Sequence, residues 1–201
     1  MSDDNEDGPR VTPDNPTYRT LVDSLPVQGI AAEDRHLFAC LLSVADTEPT
    51  PLHQALNLSE SMLNSLLLKA FPGVVRQELF AKSGCKSEPP PEINQDILDL
   101  LLSFQRSDSC EWIEFVSLVL ARIIAVRSAH AGHLWVAMGL FERSQLTAAI
   151  GRHLPALLAA NDQGMRWKIF LFKQICELNG GTMCKSPVCG DCSDYSFCFA
   201  E

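Results

Sequence analysis

Nowhere in these 201 residues do apolar and polar side chains keep up the period-two alternation of a half-buried strand; apolar residues instead return every third or fourth position. That spacing leaves one way to bury a core, which is to pack helices on helices. From Ala32 to Val44 the pattern is carried by Leu37, Phe38, Leu41, Leu42 and Val44, with Glu33 and Asp34 in the first turn, where the helix dipole favours anions. Ser59 is placed to cap a second helix, with Leu58 and Leu63 as its hydrophobic staple; Phe71-Pro72-Gly73 stops it after about Ala70. Further helices are predicted from Glu92 to about Gln105 and from about Cys110 to about Ala129. The second of these carries Trp112, Phe115, Val116, Val119, Leu120, Ile123 and Ile124 on one broad core face. Another starts after Ser144 and is bent or broken at Pro155. The last runs from Met165 to Leu178, with Gly180-Gly181 able to close it in a left-handed cap. No repeat of 20 to 50 residues is present, and the expected fold class is all-α.

The two ends of the chain read differently from its middle. Residues 1–17 hold Asp3, Asp4, Glu6, Asp7 and Asp14 against Arg10 alone, broken by Pro9, Pro13 and Pro16, and are expected to form a disordered acidic tail. Residues 18–183 are expected to make a single helical domain, and 184–201 a cysteine-rich segment packed on the last helix. Lys82 to Pro91, with its glycine and three prolines, is the best internal loop, and Cys85 lies in it. The formal net charge is -9, and the tail alone supplies -4 of it. Such a balance argues against nucleic acid as a partner, because phosphate backbones are met by clustered Lys and Arg. The longest apolar-rich stretch, Trp112 to Val126, is interrupted by Glu114 and Arg122 and falls short of the ~20 apolar residues that span a bilayer. The N-terminus has neither the basic start nor the apolar run of a secretory signal, so a cytoplasmic chain with reduced thiols is expected, without membrane contact.

Reduced thiols matter because five of the eight cysteines fall in the last 26 residues. Cys184, Cys189, Cys192 and Cys198 form C-x4-C-x2-C-x5-C, with Pro187 and Gly190 suited to the tight turns of a short ligand loop. Four soft thiolates that close enclose zinc or an iron-sulfur cluster, since both favour tetrahedral sulfur ligation. Zinc folds usually separate two ligand pairs by a dozen or more residues, and no such separation occurs here, which favours a cubane-type cluster and leaves zinc as the alternative. Cys176, on the apolar face of the last helix with Met165, Ile169 and Phe172, reads as a core thiol beside the cluster; Cys40, Cys85 and Cys110 have no assigned role. Arg166, Lys168, Lys173 and Lys185 gather positive charge against Glu177 alone, and Lys168 and Lys185 are candidates for guiding an oxyanion or an acidic partner. His130 and His133 stand at H-x2-H, a spacing that can put two imidazoles on one helical face as accessory ligands, although Gly132 is placed to end the helix there. Neither a nucleophile elbow nor a phosphate-cradling glycine loop occurs, so an enzyme is the least supported class.

Met165-Arg-Trp-Lys-Ile-Phe-Leu-Phe-Lys-Gln-Ile-Cys-Glu, followed by C-x4-C-x2-C-x5-C and Phe199, resembles the C-terminal signature of the NifQ family of nitrogen-fixation proteins. His133-Leu-Trp, Gly139-Leu, Arg143, Leu146 and His153-Leu-Pro-Ala-Leu are similar to that family as well. The resemblance implies an iron-sulfur protein, not an enzyme, whose 3Fe-4S or 4Fe-4S cluster takes up molybdenum and delivers it to assembly of the nitrogenase iron-molybdenum cofactor. It implies Cys184, Cys189, Cys192 and Cys198 as cluster ligands. As partners it implies a cofactor-assembly scaffold, the nitrogenase iron protein, and molybdate or another molybdenum source. The competing expectation is a non-catalytic zinc or iron-sulfur module that docks a partner or senses oxidation.

Overall fold

The computed structural model describes residues 11–80, 87–90, 92–108 and 110–180. Among them the chain forms helices and no strand, as the spacing requires. In order these are α1 (Pro16–Val22), α2 (Ala32–Thr47), α3 (Leu52–Ala55), α4 (Glu60–Ala70), α5 (Arg76–Leu79), α6 (Gln95–Ser103), α7 (Glu111–Ser128), α8 (Leu134–Ala137), α9 (Arg143–His153), α10 (Pro155–Ala160) and α11 (Trp167–Leu178).

Two helices are apolar around most of their circumference and lie at the centre. Leu37 to Ala45 of α2 are all buried, as are Val119 to Ala121 and Ile123 to Ser128 of α7. Phe38, in the first half of α2, meets Trp112, at the start of α7, edge-on at 6.4 Å, and Arg127 pairs with Glu48 near the end of both, so α2 and α7 run in the same direction. Each fully buried Leu or Ile contributes roughly 2 kcal/mol of transfer free energy, most of it offset by the entropy of ordering the chain. Around this pair α1, α3 and α9 pack on α2, α6, α8 and α9 pack on α7, and α11 lies on α6.

Local chemistry sets the helix ends. Ser59 caps α4 by accepting from the Met62 amide, as its position predicts. The helix expected from Glu92 starts at Gln95, because the Asn94 side chain caps it at the Ile97 amide. Pro155 breaks its helix outright: α9 ends at His153, Leu154 leaves the helical region at φ -131° and ψ 57°, and the proline takes the first position of α10, where a missing N–H costs nothing. Asn161 holds the turn into α11 by accepting from the Met165 amide at 2.9 Å and donating to its carbonyl at 3.0 Å.

The expectation of an unstructured tail through residue 17 is corrected for residues 11–17. Val11 is buried, Asn15 caps α1 by accepting from Tyr18, and Pro16 opens that helix instead of breaking it. Residues 1–10 lie outside the described chain, as does most of the Lys82–Pro91 loop with Cys85. Val11 is seated at Gly139, whose φ of +69° suits glycine. A Cβ at Gly139 would fall 2.8 Å from the Cys40 carbonyl oxygen and 2.9 Å from Val11 and Val44, so the chain entering α9 presses directly on the α2 backbone.

Candidate functional site

The described chain ends where the cysteine segment begins. Helix α11 buries Trp167, Phe170, Leu171, Ile175 and Cys176, and Gly180, at φ +80°, turns the chain out of it. Cys184, Cys189, Cys192, Cys198 and Lys185 follow at once and lie outside the described residues. The structure therefore fixes the platform: α11 is anchored to α9 by the Trp167 indole donating to Thr147 at 3.0 Å, and to α6 by Asn179 donating to Asp96 at 3.2 Å.

Cys176 is buried at the end of that platform, as its place on the helix predicts. The core-facing centre of α11 lies on Phe170, Leu171 and Ile175, while Ile169 and Phe172, expected to share the buried face with Cys176, are half-buried. Lys173 is exposed and pairs loosely with Glu177 at 3.8 Å, one turn on. Arg166 is the half-buried residue at the N-terminal boundary of α11. Lys168 does not reach for solvent. Its Nζ crosses to the turn after α7, donating to the His130 carbonyl and, at 3.0 Å, to the Gly132 carbonyl.

That turn separates the two histidines. Helix α7 stops at Ser128, Gly132 adopts φ +71°, and His133 stands at the N-terminal boundary of α8, so His130 and His133 do not share a helical face. Burial pushes the His130 imidazole down to about 4, with the Arg127 and Lys168 charges adding to the effect, so the ring is neutral at neutral pH. Two cations beside a ring disfavour a metal cation on it. Among the described residues no group of His, Cys, Asp and Glu is arranged to hold a metal ion.

Two buried charge clusters were not picked out by spacing. Arg127 is fully buried, pairs through Nη1 with Glu48 and has Nε2 of His130 at 3.5 Å from the same nitrogen. Its signal was its position four residues after Ile123, inside the apolar face of α7, where a solvated arginine has no place. Asp34 is also buried and accepts from Arg152 at 3.0 Å and contacts His153 Nε2 at 2.8 Å, tying α2 to α9. Burial raises the Asp34 carboxyl, but His153 and Arg152 outweigh it and hold the group below the usual carboxylate range. Cys40 is an inert core thiol, pushed by burial up to about 12. Cys110 is exposed at the head of α7.

Fold and sequence together define a domain that is all-helical among the described residues and is followed in sequence by a four-cysteine segment. The NifQ family model matches residues 37–200, from within α2 through the cysteine segment, and the chain belongs to the NifQ family. It is 33% identical over 172 residues to a protein NifQ homolog of Sinorhizobium fredii, covering 84% of this chain and 72% of that one. Against protein NifQ of Rhodobacter capsulatus the identity is 34% over 152 residues, 75% of this chain and 78% of the relative. Against that of Azotobacter vinelandii it is 32% over 160 residues, 74% and 78%. The likeness thus extends well upstream of the His130–Phe199 stretch that carries the sequence signature. No solved structure matches the chain. Membership places the protein in nitrogen fixation, and no helix among the described residues is long and apolar enough to cross a membrane.

Proposed function

We propose that this protein is an iron-sulfur carrier that takes up molybdenum and donates it to assembly of the nitrogenase iron-molybdenum cofactor in the cytoplasm. The observation that carries the reading is C-x4-C-x2-C-x5-C, lying inside the region matched by the NifQ family and directly after α11. Four thiols within fifteen residues fit a compact iron-sulfur cluster: they are soft, anionic when bound, and close enough along the chain to wrap one centre. When bound, such a cluster supplies sulfide as a soft ligand for molybdenum.

What the chain itself contributes is position. Helix α11 is fixed to α6 and α9, so a segment leaving its C-terminus starts from a rigid point that a cofactor-assembly scaffold or the nitrogenase iron protein could approach. No residue of the helical body is asked to make or break a bond, and in that sense the protein is not an enzyme.

The experiment is elemental analysis of anaerobically purified protein before and after mixing with a cofactor-assembly scaffold. Iron and acid-labile sulfide in the purified protein, with molybdenum that moves to the scaffold, is the expected result. Replacing any one of Cys184, Cys189, Cys192 or Cys198 by Ser is expected to abolish the iron. Zinc as the sole metal, or molybdenum that stays on this chain, would sink the donor reading and favour a static interaction or redox-sensing module.

A further inference from the structure

Arg127 is more than the partner of Glu48. The side chain is fully buried in the last turn of α7, and the carboxylate engages only Nη1. Nε and Nη2 are also buried and have no hydrogen-bond partner among the described residues. Those two nitrogens form the side edge of the guanidinium, whose N–H bonds point the same way, the arrangement that grips two oxygens of one anion. A buried donor left without an acceptor costs about 1–3 kcal/mol, more when charged, so this edge is an expensive thing to keep unless something uses it.

The surroundings favour an anion. Lys168 brings a second cation to the turn that follows Arg127, holding the carbonyls of His130 and Gly132. His130, beside Nη1, is neutral and adds an imidazole without adding charge. Glu48 is the opposing group, and it sits at the other nitrogen. That turn lies at the surface: Ala131 is exposed and His130, Gly132 and His133 are half-buried.

We infer that the side edge of Arg127, in the last turn of α7, binds a tetrahedral oxyanion of the molybdate class. The choice of molybdate rests on the donor reading above, whereas the anion site rests on Arg127 itself. Binding alone is meant, with no bond made or broken. The turn is tied by Lys168 to the first turn of α11, the helix after which the cysteine segment follows in sequence.

Equilibrium dialysis of the full chain against molybdate tests this. The wild-type protein should bind at a single site. Arg127→Lys keeps a charge opposite Glu48 but loses the parallel N–H pair, and should weaken binding about tenfold, as expected for one bidentate charge-assisted contact. Glu48→Gln removes the opposing carboxylate and should tighten binding several-fold, a gain that simple damage to the fold does not produce. The variant with Cys184, Cys189, Cys192 and Cys198 all replaced by Ser should bind as the wild type does. Equal affinity in wild type and Arg127→Lys, no gain in Glu48→Gln, or binding lost only in the four-cysteine variant would each overturn the inference; the last would leave the cluster reading standing. Molybdate bound at Arg127 in a protein that carries only zinc on its cysteines would do the reverse, upholding this site and removing the donor reading.

Discussion

Asp34, His153 and Arg152 join α2 to α9 through a single carboxylate oxygen. Asp34→Asn leaves His153 and Arg152 without their charge partner, and should cost about 3 kcal/mol of unfolding free energy, read by urea denaturation at neutral pH. Because the folded carboxyl lies below its unfolded value of 3.8, its contribution is present above that pH and is lost as the pH falls through the lowered folded value. The gap between wild type and Asp34→Asn should therefore close in strong acid. His130 acts in a higher window. Its folded value of about 4 lies below the ordinary 6.5, so the unfolded chain binds the proton first and stability declines as the pH drops from 6.5 towards 4. His130→Gln should remove that decline, and an unchanged pH profile in this variant would show that a His130 ring depressed by burial and by the Arg127 and Lys168 charges is not its source. Thiol labelling separates two further residues: in the folded protein, iodoacetamide should modify exposed Cys110 and spare Cys40, whose thiol is buried and held up near 12.

At the scale of elements, Gly139 approaches α2 more closely than any other described glycine approaches its neighbours. Gly139→Ala has to find room for a Cβ 2.8 Å from the Cys40 carbonyl oxygen at a φ of +69°, and should destabilise the protein by about 3 kcal/mol in thermal or urea unfolding. The longer helices were legible because several turns of three-and-four spacing accumulate over them, as in α2, α4 and α7. Helices α3, α5 and α8, of four residues each, were not, since one turn holds too few positions to show a period. Pro16 misled for a different reason: proline breaks a helix in its interior and favours one at its first position, and only the Asn15 cap distinguishes the two cases. The tie between Lys168 and the turn after α7 was equally hidden, because its acceptors are backbone carbonyls more than 35 residues away, which no side-chain pattern announces. Lys168→Met should leave α11 in place and speed hydrogen exchange in the Ala129–His133 turn, at a stability cost of roughly 2 kcal/mol.

Across the whole molecule, the four cysteines were the most readable feature in sequence and the helical body the least readable in purpose, for one physical reason. Ligand spacing is local in the chain, whereas a buried pair such as Arg127 with Glu48 joins residues 79 apart and looks in sequence like two solvated charges. The described core is held by apolar helix packing and a few ion pairs, and no group of described residues is arranged to bind metal. We predict that this core folds without a metal ion, unlike small domains that collapse only around zinc. Stripping metal with a chelator should leave the far-ultraviolet circular dichroism of the helices nearly unchanged. On the donor proposal, loading and unloading would then be thermodynamically separate from folding: a vehicle whose chassis does not depend on its freight could be emptied at its destination and sent back intact.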